Sequence, residues 1–306
     1  METFFRNKKI INLLNKWKIH LIIITIVAIA IGAFISSPIV ITPKFKSLAI
    51  IYPVNTYTYS KESTTEQMLQ VLNSNDINEK MLKAFDLEKH YKIDTLESQH
   101  YTYFLDEYNS NVNISKTEYE SVEITVLDKN PKIACQMVDS IVKFYDDKIA
   151  SLHKRKQKEV IEISRVEYEK KKKELDSLEG IVKNYRQNYG IMNYNSQVLE
   201  ATKGEFTGNA SAKKLFKNLQ DYGVDYQRLD SMLYNVRKEV IYDKYMLEVA
   251  YREYNKHISY SQVISTPYPA DKKSYPARWL VVAVTVIASL IFSIIVVAVI
   301  ESKQKA

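Results

Sequence analysis

Residue types that carry most enzyme chemistry are present in this chain, but their spacing does not suit them to perform it. Five histidines (His20, His90, His100, His153 and His257) are spread along 306 residues, and no two stand at metal-ligand spacing. Cys135 is the one cysteine. It falls on an expected helix and reads as a small packed residue rather than a nucleophile, and alone it permits no internal disulfide. Asp146 and Asp147 are adjacent, so on a helix they point apart and make a poor acid/base pair. None of the six glycines opens a phosphate-cradling GxxxxGK[ST] run. The expectation is no catalytic group, no metal, no cofactor and no enzyme activity.

Two basic runs and the tyrosines are the remaining candidates. Residues 154–158 and the four lysines 170–173 read as a solvated helix face, or alternatively as contacts for an anionic glycan. All 23 tyrosines lie between Tyr52 and Tyr275. Tyr145, Tyr185, Tyr189, Tyr222, Tyr226 and Tyr254 follow apolar stripes and read as core. Tyr234, Tyr242, Tyr245 and Tyr251 fall off those stripes, which suits a subunit interface better than sugar stacking.

The elements that must position these residues are framed by two uncharged runs, 21–43 and 279–300. The second has 22 residues, enough for a helix to cross a bilayer. The densest part of the first, residues 21–35, has the length of a signal peptide. Its long basic lead, the nearby Pro38 and the lack of a small-x-small cleavage box favour an uncleaved anchor. Charge sets the orientation. Arg6, Lys8, Lys9, Lys16, Lys18, Lys303 and Lys305 flank the runs on their tail sides, opposed only by Glu2 and Glu301. Both tails are therefore expected in the cytoplasm. Of the 43 Lys/Arg, 36 lie in the middle with 34 Asp/Glu. The overall +7 thus belongs mainly to the tails and gives no ground for a nucleic-acid partner. Small residues recur every four positions in each run: Ala28, Gly32 and Ser36, then Thr285, Ser289 and Ser293. That spacing lets helices approach closely in lipid, although such residues are also common in spans generally.

Between the runs, residues 44–54 read as a strand. Thr64-Thr-Glu-Gln67 and Asp76-Ile-Asn-Glu79 have capping-box form and predict helices near 65–73 and 77–87. Residues 96–113 are ambiguous, with strand-like alternation of Tyr101, Tyr103 and Leu105. Val122, Ile124 and Val126 alternate with Glu123 and Thr125 as a half-buried strand. Asn130 as N-cap and Pro131 at the first helical position then start a helix to about Tyr189. Its apolar stripe changes register near the four lysines, which predicts a bend or a change of packing partner. Residues 190–209 read as a turn, and a second long helix follows over about 211–257. It carries Leu215, Leu219, Tyr222, Tyr226, Leu229, Leu233, Val236 and Val240 at three-four spacing. The pair reads as an antiparallel hairpin. Residues 260–265 could return as a strand, and Pro267, Pro269 and Pro276 then hold a stiff, extended lead into the second run.

This order of parts resembles the bacterial polysaccharide co-polymerases, the chain-length determinant family without a kinase domain. The likeness rests on Thr42-Pro-Lys-Phe-Lys-Ser-Leu-Ala-Ile-Ile, on Val122-Glu-Ile-Thr-Val-Leu-Asp-Lys-Asn-Pro131 followed by Ala134 and Val138, and on Pro267-Tyr-Pro-Ala-Asp-Lys-Lys-Ser-Tyr-Pro-Ala-Arg278. The expected fold is an α+β membrane protein, with two transmembrane helices flanking a periplasmic α/β base and a long helical hairpin. Its parts are a cytoplasmic tail (1–20), a first span (21–41), the base (42–130) and the hairpin (131–258, tip at 190–210). A return strand with the proline-rich segment (259–278), a second span (279–300) and a tail (301–306) complete it. The resemblance implies a homo-oligomeric inner-membrane scaffold that regulates chain length or export of a surface polysaccharide: lipopolysaccharide O-antigen, capsule or exopolysaccharide. Implied partners are a polysaccharide polymerase or exporter, with the glycan itself and a separate cytoplasmic tyrosine kinase as further candidates. A periplasmic adaptor or tether of a transport system, or a two-span sensor, are alternatives; the sensor is the less expected, since neither tail is expected to hold an output domain. Topology can be tested directly. A reporter enzyme active only in the periplasm should work when fused at Gly204 and be silent after Ala306, and activity at the second position would overturn the two-span reading.

Overall fold

The computed structural model describes residues 7–304, with side chains for 15–301. Glu2, Arg6 and Lys305, and the side chains of Lys8, Lys9 and Lys303, used in the charge argument, lie outside the described residues. The chain forms two compact units, residues 1–147 with 259–306, and residues 148–258.

The first unit is built on β1 (Phe45–Pro53), whose alternate residues Ser47, Ala49 and Ile51 are buried. It pairs antiparallel with β3 (Val122–Asp128), setting Ala49 opposite Ile124 and Ile51 opposite Val122. Val122, Ile124 and Val126 are fully buried, as their alternation requires. β2 (Val112–Lys116) joins β3 through a turn closed by Thr117 N–H donating to the Ser121 carbonyl at 2.8 Å. β4 (Ser261–Ser265) pairs antiparallel with the other edge of β1, giving the order β2-β3-β1-β4. Every ladder is antiparallel, so the expected α/β base is corrected to α+β. Its strands are joined by a short hairpin and by long excursions, not by crossover helices between parallel neighbours.

The short helices form with shifted starts. α2 (Thr64–Leu72) is capped by Ser63, not Thr64: the Ser63 hydroxyl accepts from Glu66 N–H and the Glu66 carboxylate accepts from Ser63 N–H. α3 (Asn75–Phe85) begins before Asp76, so the expected Asp76–Glu79 box does not form. Asp76 instead stands in the first turn, where its charge complements the helix dipole. The N-cap residue Ser74 spends its hydroxyl on the Val71 carbonyl. α4 (Leu87–Tyr91) and α5 (His100–Asn111) follow. Tyr101 and Tyr103 are thus helical, and α5 buries Phe104, Tyr108 and Asn111 at four-three spacing.

α6 (Pro131–Tyr189) is one continuous helix of 59 residues. The Asn130 side chain accepts from Lys132 N–H at its start. Within the first unit it buries Val138, Ile141 and Tyr145. In the second unit Tyr168, Leu175, Leu178, Val182, Tyr185 and Tyr189 meet α7 (Tyr194–Phe206) and α8 (Ala210–Tyr254) in one apolar cluster. Val160, Ile163 and Val166, just before the lysine run, are exposed. The expected turn 190–209 is corrected: it contains the 13-residue α7. Asn193 caps α7 by accepting from Ser196 N–H, and Asn209 caps α8.

α1 (Asn7–Ile35) and α9 (Arg278–Gln304) contain stretches, Asn15–Ile35 and Arg278–Glu301, long and apolar enough to cross a membrane. The expectation of helix to residue 41 is corrected. The helix ends at Ile35, because Pro38 lacks a donor and disfavours helix just before it.

Burial on β3 should be measurable. Ile124→Ala should cost about 2–5 kcal/mol, read as a lowered thermal midpoint of the full chain in detergent. Ile264→Ala on β4, a 61% exposed site, should leave it nearly unchanged. Equal effects would contradict this core.

Candidate functional site

The features that could transmit function are gathered where the first unit joins its two apolar helices. Residues 266–277 have no regular structure, yet they are tied to the start of β1. Lys44 N–H donates to the Tyr275 carbonyl at 3.0 Å, and Ser274 N–H and Tyr275 N–H donate to the Lys44 carbonyl at 2.9 and 3.2 Å. The Ser47 hydroxyl donates to the Tyr268 carbonyl at 3.0 Å. The three prolines are not equivalent. Pro276, after a cis peptide bond, is buried; Pro267 is half-buried beside Ala49 and Asp146; Pro269 is exposed.

Below this clamp α1 and α9 pack together. Gly32 faces Val282 and Thr285: a Cβ on Gly32 would sit 3.0 Å from the Val282 Cα and collide with the Thr285 hydroxyl. The Thr285 Oγ1 donates to the Val282 carbonyl and lies 3.5 Å from the Ala28 carbonyl oxygen. Ala28, Ser36 and Ser293 are buried, and Ser289 is half-buried with its hydroxyl on the Val286 carbonyl. The serines direct their hydroxyls to backbone of their own helices, whereas the Thr285 hydroxyl also reaches across to the other helix. At the other end Lys16 and Glu301 form an ion pair of 2.8 Å. Large apolar residues such as Ile22, Ile26, Ile287 and Ile291 remain more than half exposed on these helices.

In the base, two histidines pair with carboxylates and not with each other. His90 Nε2 lies 2.6 Å from Asp128 Oδ2, and Asp128 Oδ1 accepts from Asn130 N–H, so a buried carboxylate joins α4 to the start of α6. His100 Nδ1 meets Glu88 at 2.6 Å. Among the described residues no group of His, Cys, Asp and Glu could hold a metal ion. Burial, then the nearby Asp139, pushes the Cys135 thiol up, which keeps it protonated and a poor nucleophile. Asp146 accepts from Tyr260 N–H at 3.1 Å, and burial raises its pKa. It fastens α6 to the lead-in of β4, a structural task distinct from acid/base work with Asp147.

In the helical unit Tyr234, Tyr242, Tyr245 and Tyr251 are 44–61% exposed, beside exposed Ile241 and Met246. The Lys238 ammonium lies 4.2 Å from the Tyr234 ring centre. Tyr242 borders a cavity of about 590 Å³ lined also by Lys170, Lys171, Lys238, Glu167, Glu239 and Asp243. Its three lysines face three carboxylates, and Lys171 pairs with Glu239 at 2.7 Å and Glu174 at 3.1 Å. That balance argues against recognition of an anionic glycan there. Tyr226, by contrast, is core: it is 1% exposed and its hydroxyl donates to the Met192 carbonyl at 2.7 Å. Sequence reading missed the clamp at Lys44, because backbone pairing between residues so far apart leaves no local pattern. It also missed α7, for which Asn193 followed by Gln197 was an available capping signal.

Two membrane-length helices, a small antiparallel sheet and long packed helices define the class of the chain: an α+β protein dominated by helix. No family model matches it, and no curated protein does. Solved structures do. One is a full-length bacterial polysaccharide co-polymerase, 13% identical, covering 96% of this chain and 97% of that one at a TM-score of 0.49. Another is the wild-type Shigella flexneri lipopolysaccharide O-antigen chain-length regulator WzzBSF, 11% identical, covering 76% of this chain and all of that one at 0.34. A fragment of WzzB, the co-polymerase from Salmonella Typhimurium, is 9% identical with the same coverage at 0.29.

Helix contact at Gly32 can be tested by cross-linking. With Ala28→Cys and Thr285→Cys in a Cys135→Ser background, oxidation should join α1 to α9. Adding Gly32→Leu should cut the yield severalfold, since overpacking of this kind costs about 1–3 kcal/mol. An unchanged yield would contradict the close approach.

Proposed function

We propose that this chain is a bacterial inner-membrane protein that spans the membrane twice, with both termini cytoplasmic and the intervening residues periplasmic. It assembles as a homo-oligomer and, without catalysing a reaction, regulates the chain length or export of a surface polysaccharide such as O-antigen, capsule or exopolysaccharide. One observation carries this reading. The chain leaves one apolar helix into β1 and returns through β4 and the proline segment to the same strand before entering the other apolar helix. An extramembrane body fastened in this way to two packed helices can convey its assembly state to a membrane partner, here a polysaccharide polymerase or exporter.

The remaining parts take roles within this reading. Ala28, Gly32, Ser36, Thr285, Ser289 and Ser293 hold the spans together. Tyr234, Tyr242, Tyr245 and Tyr251 meet neighbouring subunits, since exposed aromatic faces suit protein interfaces. Pro267, Pro269 and Pro276 stiffen the coupling segment. The exposed apolar residues of α1 and α9 face lipid.

Replacing all three prolines with alanine should leave expression and insertion normal. The distribution of surface-glycan lengths on a gel should shift, or the displayed amount fall. Unchanged bands at normal protein level would remove the segment from the mechanism.

A further inference from the structure

The segment that clamps the second apolar helix also borders a cavity that the proposed function does not use. It measures about 270 Å³ and is lined by Lys46 and Leu48 of β1 and by Tyr268 and residues 270–274. Three lysines, Lys46, Lys272 and Lys273, share it with one carboxylate, Asp271. Lys46 has a long contact with Glu123 at 3.8 Å, and Lys272 and Asp271 are exposed. Lys273 differs. Its residue is half-buried, its ammonium is withdrawn from solvent, and it meets no hydrogen-bond acceptor. A buried cation without a partner is costly, so a site that keeps one invites an anion.

We propose that this cavity binds the phosphate of a membrane-lipid headgroup. The inference rests on the reading that α9 crosses the membrane. Arg278, which starts α9, follows Ser274 by four residues, and the intervening chain is held back against Lys44. The cavity therefore lies close to the start of the apolar stretch, and the headgroup layer is roughly 5–8 Å deep on each side of a bilayer. Tyr268, which lines it, and Tyr275 and Trp279, which follow it closely in the chain, are exposed, as aromatic residues at a membrane interface are. Phosphate is the anion most concentrated at that depth. Its several oxygens can take the Lys273 and Lys272 ammoniums together, and the single exposed Asp271 leaves the lining net positive. Lysine serves such sites as a point charge on a flexible stem.

The test uses the purified full chain in neutral detergent, with the thermal midpoint as readout. Short-chain phosphatidylglycerol should raise the midpoint, whereas a neutral glycolipid of equal chain length should not. In Lys273→Met the concentration for half of that rise should increase about tenfold, the loss of one charged hydrogen bond. Lys273→Arg should keep the response, and the exposed change Lys272→Gln should weaken it severalfold. Lys273→Met should also match or exceed the wild-type midpoint without ligand, because it removes an unpaired buried charge. Inorganic phosphate acting as strongly as the lipid would keep the phosphate site but assign it to a soluble anion. No rise with phosphatidylglycerol, a wild-type response in Lys273→Met, or a lower ligand-free midpoint for that variant would overturn the site. None of these readouts involves a glycan, and the Ala306 fusion tests the membrane crossing separately, so failure here is distinguishable from failure of the proposed function.

Discussion

The hydrogen bonds that Lys44 shares with Ser274 and Tyr275, continued by the ladder between β1 and β4, hold together two stretches of chain more than two hundred residues apart. Each such bond is worth only about 0.5–1.5 kcal/mol net. Their effect comes from position: β1 is bonded on both sides and sits second from the end of the sheet, so whatever is fixed to it is fixed to the core. Ser47 extends the attachment through its side chain, and Asp146 adds a second fastening from α6 to Tyr260. Without this closure the two apolar helices would keep their own contacts, at Gly32 and at Lys16–Glu301, but would lose their common attachment to the sheet.

The helical unit obeys a different constraint. Its seam is filled by aromatic residues, with Tyr189 stacked on Tyr222 at 4.1 Å and Tyr185 set against Tyr226. A buried tyrosine brings a hydroxyl that must be satisfied, and the carbonyl of Met192 satisfies that of Tyr226. The residues just before α7 are thereby recruited into the seam. Gly223 completes the arrangement: the Tyr194 ring occupies the space where a Cβ would stand. Beyond this seam α8 presents tyrosine, isoleucine and methionine to solvent, a surface unlike its buried one in position but close to it in chemistry.

Much of this was legible because local rules act locally. Val122, Ile124 and Val126 announce a strand by period, and Asn130-Pro131 announces a helix start by the chemistry of capping. The stripes from Leu215 to Val240 mark the face of α8 that is buried. What stayed hidden depended on distant residues. The first turn of α2 is set by Ser63 because the Glu66 carboxylate can reach back to it, one register away from an equally plausible Thr64–Gln67 pair. Gly223 looks like a helix defect until Tyr194 is in place. Nothing local in the run Asp271-Lys-Lys-Ser274 distinguishes its two lysines, and only the fold shows that the Lys273 ammonium is shielded by its surroundings.

The ion pair between Lys16 and Glu301 has a mechanical meaning once the other end is considered. Asn15–Ile35 and Arg278–Glu301 have 21 and 24 residues, or roughly 32 and 36 Å of helix against a hydrocarbon layer of about 30 Å. A free helix relieves such an excess by tilting on its own. These two are joined at Lys16–Glu301, matched at Gly32 and clamped at Lys44–Tyr275, so neither can lean without the other. In the proposed two-span arrangement they would respond to bilayer thickness as a single strut, and a thinner membrane would rotate the sheet attached to it rather than shear one helix past its neighbour.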